Sequence, residues 1–376
     1  MTRVAMVVQS FRPVLGGAQR QIERLGPALE ARGADVHVIT RRVPGTPARE
    51  RAPGLTIHRT AGPTRGPVGS AAYTALGTLA TASLRPDVIH VHDVLSPGSI
   101  GLLASLARRT PVVAKILSTG PGGDLQRLRL KPLAARRLAL MARRFAAFVC
   151  LSAEVEEELL AAGVPAAKLR RIPNAVDGAH YRPATPAERA GARAALGLAD
   201  GDVLAIYCGR LYDSKRIDVL LRAAAEAPVR VAIAGEGPSE AQLRALAGEL
   251  GLGDKVRFLA AVDDVRPLHR AADLYVSASE AEGMSGSVLE AMASGLAVVA
   301  APASGMAELL DGGAGVRLRT HDPAEMAAAL TRLAGDGGER TRLGAAAREK
   351  ITADLTVDAV ASRLIALYDE VRATRS

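Results

Sequence analysis

The chain has 376 residues, 48% of them hydrophobic, and a formal net charge of +9. Its length predicts two domains, and its hydrophobic content excludes general disorder. Aromatic residues make up only 3% and Trp is absent, which argues against a stacking platform for single-stranded nucleic acid or long glycans. The positive charge suits an anionic partner such as a phosphate, a nucleotide, nucleic acid or an anionic membrane surface.

Short apolar runs alternate with amphipathic helical stretches through the first half of the chain. The runs that predict strands are RVAMVVQ, DVHVIT, DVIHVHD, PVVAKIL and AFVCLS, and helices are predicted for residues 18–32 and 98–109. This alternation is typical of βαβ units that form a parallel sheet with helices on both faces.

The pattern changes in RIPNAVDGAHYRPATPAERAG, which we interpret as a linker because prolines cluster there among polar residues. Six further strand-like runs follow, namely DVLAIYCG, VRVAIAG, KVRFLA, ADLYVSAS, LAVVAAP and GVRL. The sequence therefore predicts an α/β fold with two Rossmann-like β/α/β domains, residues 1–182 and 183–356, facing each other across a cleft. A last helix, residues 357–376, closes the second domain or crosses back to the first.

The two cysteines, Cys150 and Cys208, lie in apolar runs, so we expect buried reduced thiols and no disulfide. The N-terminal apolar run is too short for a signal peptide, and no apolar stretch approaches the ~20 residues of a membrane span. These features predict a cytoplasmic protein.

Several loops that follow predicted strands carry glycines or cations. Gly16 and Gly17 lie between a strand and a helix, where the backbone can approach a ligand, although for this motif alone we favour a plain tight turn in which glycine supplies a positive φ. In GRLYDSKR, three cations lie near a helix N-terminus, where the macrodipole is already positive. A diphosphate would neutralise them, and the alternative is solvated surface cations paired with Asp213 or Asp218. AGEGP is another such loop, with a weaker signal.

The stretch EAEGMSGSVLEAMASG places Glu282 and Glu290 on either side of a Gly/Ser turn. One interpretation is a capping box in which Ser287 caps the helix and Glu290 is its partner at N3. The other is a ligand site in which the turn binds a phosphate or sugar and Glu290 accepts hydrogen bonds from two ribose hydroxyls. A glycosidase pair is disfavoured because the two acids do not flank one bond.

Two further patterns keep alternative interpretations. His90 and His92 occupy alternate positions of a strand next to Asp93, so both side chains lie on the same face. They are either structural histidines or histidines that face the ligand site at the strand end. In LKPLAARRLALMARRFAAF, Leu138 and Met141 belong to an apolar face opposite a basic one. This helix either packs on the core with a solvated basic face, which we favour, or lies on an anionic membrane.

Together these residues resemble the retaining glycosyltransferases of family four, which have the GT-B fold. The resemblance extends over essentially the whole chain and rests on RPVLGGAQRQ, IPNAVD, GRLYDSK, AGEGP and EGMSGSVLE followed by EAMASG. It implies transfer of a hexosyl or related sugar from a UDP- or GDP-linked donor to an acceptor, by front-side attack and with no metal or other cofactor. The acceptor would be a small molecule or lipid-linked, bound mostly by the N-terminal domain, and the donor would be bound mainly by the C-terminal domain.

The resemblance also implies roles for individual residues. The implied catalytic residues are Arg210, Lys215 and Glu282. The implied donor-binding residues are Gly16, Gly17, Gly209, Gly235, Gly283, Met284, Ser285, Gly286, Ser287, Val288 and Glu290. Many members carry a His in the loop after the strand that matches PVVAKIL, and this chain does not. The residues expected to face the acceptor instead are His92, Asp93, Lys115, Ser118, Thr119 and Gly120.

Two alternatives differ in class from sugar transfer. A nucleotide-sugar epimerase on the same scaffold would need an acid and a base in the N-terminal domain. A non-catalytic protein that binds anionic ligands or nucleic acid would show salt-sensitive binding.

Overall fold

The computed structural model describes residues 1–14, 16–63, 66–120, 122–280 and 282–374, and it divides the chain into two compact α/β units. Unit 1 comprises Met1–Ala175 together with the chain from Val357 onward, and unit 2 is Val176–Thr356. The boundary between the two units thus falls within IPNAVD, between Ala175 and Val176, a few residues before the domain boundary at residue 182 that was predicted from the proline cluster. No helix within the described ranges is both long and apolar enough to cross a membrane.

Unit 1 is built on an eight-stranded sheet in the order β3-β4-β2-β1-β5-β6-β7-β8. Its strands are β1 (Thr2–Val7), β2 (Ala34–Arg41), β3 (Arg49–Ala52), β4 (Leu55–Thr60), β5 (Val88–His92), β6 (Val112–Lys115), β7 (Ala147–Cys150) and β8 (Leu169–Arg171). All neighbouring strands pair in parallel except β3, which is antiparallel to β4. The strand order reverses between β1 and β5, which makes this the switch point where ligands bind in such sheets.

Seven helices are described in unit 1. They are α1 (Gly17–Ala31), α2 (Gly66–Leu84), α3 (Ser96–Arg108), α4 (Asp124–Arg129), α5 (Ala134–Arg144), α6 (Ala153–Ala161) and α15 (Val357–Ala373). The last helix, α15, packs against α1 and adds Val360, Leu364 and Val371 to the core of unit 1. Their helical spacing explains why this segment buries one face here.

Unit 2 has a six-stranded sheet in the order β11-β10-β9-β12-β13-β14, with every neighbouring pair parallel. Its strands are β9 (Leu204–Cys208), β10 (Arg230–Ala234), β11 (Val256–Leu259), β12 (Leu274–Ser277), β13 (Ala297–Ala300) and β14 (Val316–Arg317). Its helices are α7 (Pro186–Ala195), α8 (Ile217–Glu226), α9 (Glu240–Glu249), α10 (Arg266–Ala271), α11 (Gly286–Ala293), α12 (Met306–Leu310), α13 (Pro323–Gly335) and α14 (Gly337–Asp354). Here the switch point lies between β9 and β12.

The predicted strands agree well with the observed ones, but three strands and three helices of unit 1, namely α2, α4 and α6, were not predicted. All six strand-like runs of the second series correspond to β9–β14, and the five of the first correspond to β1, β2, β5, β6 and β7. The unpredicted strands are β3, β4 and β8. Helix α2 was also not predicted, and it contains glycines at helix-interior positions. A Cβ on Gly77 would lie 2.6 Å from Ile100, so this glycine lets α2 pack closely on α3.

Candidate functional site

The carboxyl ends of β9 and β12 bring together the two loops that carry the predicted catalytic residues. After β9, the chain runs through Gly209 and Arg210 into a single 3-10 turn, Asp213–Lys215, before α8 begins. After β12, it leads through Glu282 to α11. The ammonium of Lys215 forms a partly buried ion pair with the carboxylate of Glu282, and this pair joins the two loops directly beside the switch point.

The three cations of GRLYDSKR are in different situations. Arg216 forms ion pairs with Asp218, at 3.1 Å, and with Glu280, so its positive charge is neutralised within the protein. Arg210 is exposed, and its guanidinium lies 5.0 Å from the ring centroid of Tyr212. Among the described residues, Arg210 has no carboxylate partner. Arg216 therefore fits the solvated-pair interpretation, and Arg210 alone keeps an uncompensated charge.

Helix α11 begins two residues earlier than the capping-box interpretation requires, and that interpretation is wrong. The N-cap is Ser285, whose side chain caps no amide, and its hydroxyl lies 3.2 Å from that of Ser287. Glu290 is the fifth residue of the helix, too far along to act at N3. The first-turn amides of Gly286, Ser287 and Val288 have no acceptor among the described residues, as expected at a helix start.

Glu290 is buried close to the carboxyl end of β9. Only 5% of it is exposed. Burial, together with the negative charge of Glu290, raises the pKa of the Cys208 thiol to about 12. Tyr275 anchors the same strand end, since its hydroxyl donates to the Cys208 carbonyl at 3.2 Å. Both cysteines are free and buried, which confirms the expected reduced thiols.

The glycines of AGEGP allow two loops of unit 2 to touch. A Cβ on Gly235 would lie 1.9 Å from the carbonyl oxygen of Gly209, and one on Gly237 would lie 2.1 Å from that of Leu211. The Leu211 amide donates to the Glu236 carbonyl at 2.9 Å. Glycine is therefore needed at both positions so that this loop can pack against the loop that carries Arg210. The sequence had predicted only that the glycines allow a ligand to approach the backbone.

In unit 1, the loop after β1 leads into α1. Gly16 is the N-cap of α1, and its amide donates to the side-chain oxygen of Gln19 at 3.0 Å. The amide group of Gln19 in turn donates to the Ser10 carbonyl at 2.8 Å. A Cβ on Gly17 would meet nothing within 4 Å, so the first turn of α1 is open at this position.

At the end of β5, His90 and His92 share one face, as predicted, with their rings stacked at 4.6 Å. Nδ1 of His90 lies 2.7 Å from the hydroxyl of Tyr368 on α15. Burial, reinforced by the charge of Lys115, lowers the pKa of His90 to about 3. Burial also lowers the pKa of His92 well below its ordinary value, so both rings are neutral near pH 7. Neither ring nitrogen of His92 has a partner among the described residues.

Lys115 lies beside His92 in the sheet and is equally buried. Its ammonium donates to the side-chain oxygen of Asn174 at 2.9 Å, and burial lowers its pKa to about 8. No carboxylate among the described residues forms an ion pair with it. A buried ammonium with donor capacity left over favours a ligand or water oxygen nearby.

Asp93 and the loop after β6 form a separate acidic cluster. The Asp93 backbone has φ +100°, and its carboxylate accepts from the Leu95 amide at 2.8 Å. Burial, with the nearby charge of Asp124, raises the pKa of Asp93 well above its ordinary value. Asp124 accepts from the Leu117 amide at 2.7 Å and from the Ser118 hydroxyl at 3.3 Å.

The remaining predicted acceptor residues lie on the same loop. Thr119 is buried, and Gly120 is half-buried with φ +71°. The sequence interpretation missed Asp124, which shapes this loop, as well as Asn174 and Tyr368. Asn174 lies inside the quoted IPNAVD segment, so a signal for it existed, whereas nothing in the sequence connects Tyr368 with His90.

Comparison with known proteins identifies the family. A model described as Glycosyltransferase Family 4 matches residues 15–180, and one described as Glycosyl transferases group 1 matches residues 188–350. A D-inositol 3-phosphate glycosyltransferase of Nocardia farcinica is 32% identical over 364 residues, covering 88% of this chain and 79% of that protein. The chain belongs to glycosyltransferase family 4. The enzyme class predicted from the sequence motifs is thereby confirmed.

Solved structures show that this family 4 glycosyltransferase has the GT-B fold. Sucrose-phosphate synthase from Thermosynechococcus elongatus superposes with a TM-score of 0.85 at 24% identity and full coverage of both chains. Anabaena HepE, solved in complex with UDP and glucose, gives a TM-score of 0.80 at 20% identity over 98% of this chain and 100% of that one. A D-inositol 3-phosphate glycosyltransferase from Acidothermus cellulolyticus is 32% identical, over 91% of this chain and 84% of that protein.

Proposed function

We propose that this glycosyltransferase takes a hexosyl or related sugar from a UDP-linked donor held at the β9–β12 edge of unit 2 and transfers it with retention of configuration. One observation carries the proposal. An uncompensated cation, Arg210, and a second cation, Lys215, lie on the loop beside the switch point, and α11 begins there with free amides. Such a constellation suits a diphosphate, which needs both charge and directed N–H donors.

The donor roles follow from these positions. Arg210 and Lys215 bind the diphosphate, and the backbone of Gly283–Val288 binds the phosphate and the sugar. The carboxylate of Glu290 accepts hydrogen bonds from the ribose hydroxyls. Glu282, held by Lys215 in this structure, contacts the transferred sugar once the diphosphate has taken over the lysine.

UDP is the nucleotide we favour over GDP. Support comes from HepE, a structural relative that was solved with UDP and glucose and, separately, with UDP-glucose. Those structures share the fold with this chain at 20% identity, so the base is a proposal that rests on analogy.

Chemistry proceeds by attack of an acceptor hydroxyl on the anomeric carbon from the same side as the leaving diphosphate. The bond from the anomeric carbon to the diphosphate oxygen breaks, the new glycosidic bond forms, and the diphosphate oxygen receives the hydroxyl proton. The two cations stabilise the negative charge that develops on the diphosphate, a role that metal ions fill in other transferases. Positioning supplies much of the remaining acceleration.

The acceptor is a hydroxyl compound bound at the β1–β5 edge of unit 1, and a phosphorylated polyol is the class we favour. Support comes from the curated relatives, which are named for D-inositol 3-phosphate. Lys115 and His92 supply spare hydrogen-bonding capacity at this edge, and Ser118, Thr119 and Gly120 line the adjacent loop. Asp93 shapes the neighbouring loop, between β5 and α3, by accepting a hydrogen bond from the Leu95 amide.

Calorimetric titration with UDP, GDP, ADP and TDP tests the donor proposal. The wild type should bind UDP most tightly, and Glu290→Ala should weaken binding by roughly 100-fold or more, since two hydrogen bonds to a charged group are lost and each is worth about 1.5–3 kcal/mol. Glu249→Ala, an exposed carboxylate of the same unit, is the matched control and should bind as the wild type does. A protein that binds none of the four nucleotides, or a Glu290→Ala variant that loses only thermal stability, would contradict the proposal.

A further inference from the structure

Unit 1 carries a long segment that is almost without negative charge. Between Asp93 and Glu154 the only acidic residue is Asp124, which is buried. Ten basic residues lie in the same segment: Arg108, Arg109, Lys115, Arg127, Arg129, Lys131, Arg136, Arg137, Arg143 and Arg144. Apart from the buried Lys115 and the half-buried Arg137, these side chains are exposed, so this segment contributes mainly positive charge to the surface, and the carboxylate of Glu158 on α6 offsets part of it near Arg129.

The connection between α4 and α5 presents leucines at the centre of this positive surface. Every residue from Arg129 to Leu133 is exposed, with Leu130 at 84% and Leu133 at 66%. Leu133 also has φ +56°, a left-handed conformation that a leucine adopts at some cost. Two apolar side chains flanked by Arg129 and Lys131 thus stand free of the protein core.

Helix α5 continues the same surface, while its other face packs inward. Leu138, Met141 and Ala142 are buried, which confirms the core-packed face and excludes these side chains from a membrane contact. The outward stripe consists of Arg136, Leu140, Arg143 and Arg144. Its spacing lines up with Leu133, one helical turn before Arg136.

We propose that this surface, Arg129–Leu133 together with the outward stripe of α5, docks on an anionic lipid bilayer. Aliphatic tips insert below the headgroups while arginine and lysine contact acidic lipids, which is the pattern of interfacial attachment. The described surface offers no aromatic ring or acceptor side chain within Arg129–Leu133, so it is poorly suited to stacking on nucleic acid or to a polar protein interface.

The two kinds of side chain make separable contributions. A leucine that moves from water into the interface strengthens binding by roughly 10-fold or more. A basic residue near an acidic membrane strengthens it by about 5-fold, and salt weakens this part only.

Flotation of the full-length protein with vesicles tests the proposal, without donor present. Vesicles of phosphatidylcholine alone and of phosphatidylcholine with 30% phosphatidylglycerol would be compared at low and physiological salt. We expect binding to the anionic vesicles only. Leu130→Ser/Leu133→Ser should lower the affinity roughly 100-fold, and Lys131→Ala/Arg136→Ala roughly 25-fold at low salt.

Matched controls separate this surface from the overall positive charge. Leu160→Ser replaces an exposed leucine on α6, and Arg222→Ala/Arg319→Ala removes two exposed cations of unit 2. Both should leave vesicle binding unchanged. Equal losses in the control and surface variants would overturn the proposal, as would a wild type that stays off anionic vesicles.

A wild type that self-associates through Leu130 and Leu133 in sedimentation, without binding vesicles, would assign the surface to a second copy of the chain and also overturn the proposal. Nucleotide binding of each variant, measured in parallel, should equal that of the wild type. A failed vesicle experiment therefore leaves the donor proposal untouched, and the reverse holds as well.

Discussion

The charged and polar side chains at the switch points of the two sheets differ in burial and in charge. In unit 2 the edge presents an ion pair between Lys215 and Glu282 together with the exposed guanidinium of Arg210. In unit 1 burial suppresses charge, because His90 and His92 have lowered pKa values and Asp93 has a raised one. An edge of paired and exposed ions suits a permanently anionic ligand, whereas the edge of unit 1 combines neutral histidines with the single ammonium of Lys115 and suits a hydroxyl compound that carries one anionic group.

The same fold therefore hosts two different sites because burial differs between their loops. In unit 2 the loop carrying Arg210 packs closely against the loop of Gly235 and Gly237, and the Arg210 side chain is exposed. In unit 1, Lys115 and His92 are the last residues of their strands and are covered, and the hydroxyl of Tyr368 contacts the neighbouring His90. Changes at Lys215, Lys115, Gly235 and Glu282 test this contrast.

Replacing Lys215 should have the largest effect. Lys215→Ala removes one cation from the diphosphate site and leaves Glu282 as an uncompensated repulsive charge, so UDP affinity should fall by more than about 100-fold. Lys215→Ala/Glu282→Ala should recover part of that loss, because the repulsion is gone. Calorimetry on the single and double variants measures both effects, and equal affinities of the two would disprove the repulsive role of Glu282.

Lys115 should make stability depend on pH in the alkaline range. Burial lowers its pKa from 10.5 to about 8, so the unfolded chain holds this proton more tightly than the folded one. The penalty is present in full below pH 8 and is relieved as the pH rises from 8 to 10.5. Relative to Lys115→Met, the wild type should gain up to about 3 kcal/mol of unfolding free energy across this window.

Urea denaturation of the wild type and of Lys115→Met at several pH values measures this difference. Other alkaline groups titrate in both proteins and cancel in the comparison. A difference that stays constant from pH 8 to 10.5 would show that Lys115 is solvated.

Gly235→Ala should destabilise unit 2. The added Cβ would meet the Gly209 carbonyl oxygen at 1.9 Å, and forcing the two loops apart should cost about 1–3 kcal/mol. Thermal unfolding measures the loss. Gly286→Ala is the control, because nothing lies within 4 Å of its Cβ, and its melting temperature should match the wild type. Equal melting temperatures for both variants would show that the loops separate freely.

Glu282→Gln should have the smallest effect, in the opposite direction. The neutral amide no longer offsets the charge of Lys215, so UDP should bind about 5-fold more tightly, close to the 1 kcal/mol of a partly exposed ion pair. Weaker UDP binding in calorimetry would mean that Glu282 positions the lysine for the diphosphate.

Much of the architecture was predictable from local patterns. The strands of unit 2 are continuous apolar runs bounded by turns, and all six were predicted. Strand β4, by contrast, alternates buried and half-buried residues in LTIHRT, whose His58 and Arg59 hide the pattern. Helix α2 was not predicted because a glycine such as Gly77 lowers helix propensity. In the structure, Gly77 leaves the space that the side chain of Ile100 on α3 occupies.

Within the candidate site, the sequence located the residue types but not their partners. It placed Glu290 beside a helix start, yet only the structure shows that Ser285 is the N-cap and that Glu290 lies beyond N3. It also grouped Arg216 with Arg210, although the first is neutralised by Asp218 and Glu280. Hydrogen-bond and ion-pair partners depend on rotamers and on loops that meet in space.

By itself, the sequence determined the two α/β units, the family and the positions of the charged loops, because apolar periodicity and short motifs are local properties. Only the tertiary structure decided which polar groups are buried and which partners they meet. Lys215 meets Glu282 across 67 positions, and His90 meets Tyr368 across 278. Burial and distant partners result from the packing of the whole chain, and neither can be obtained from residue spacing.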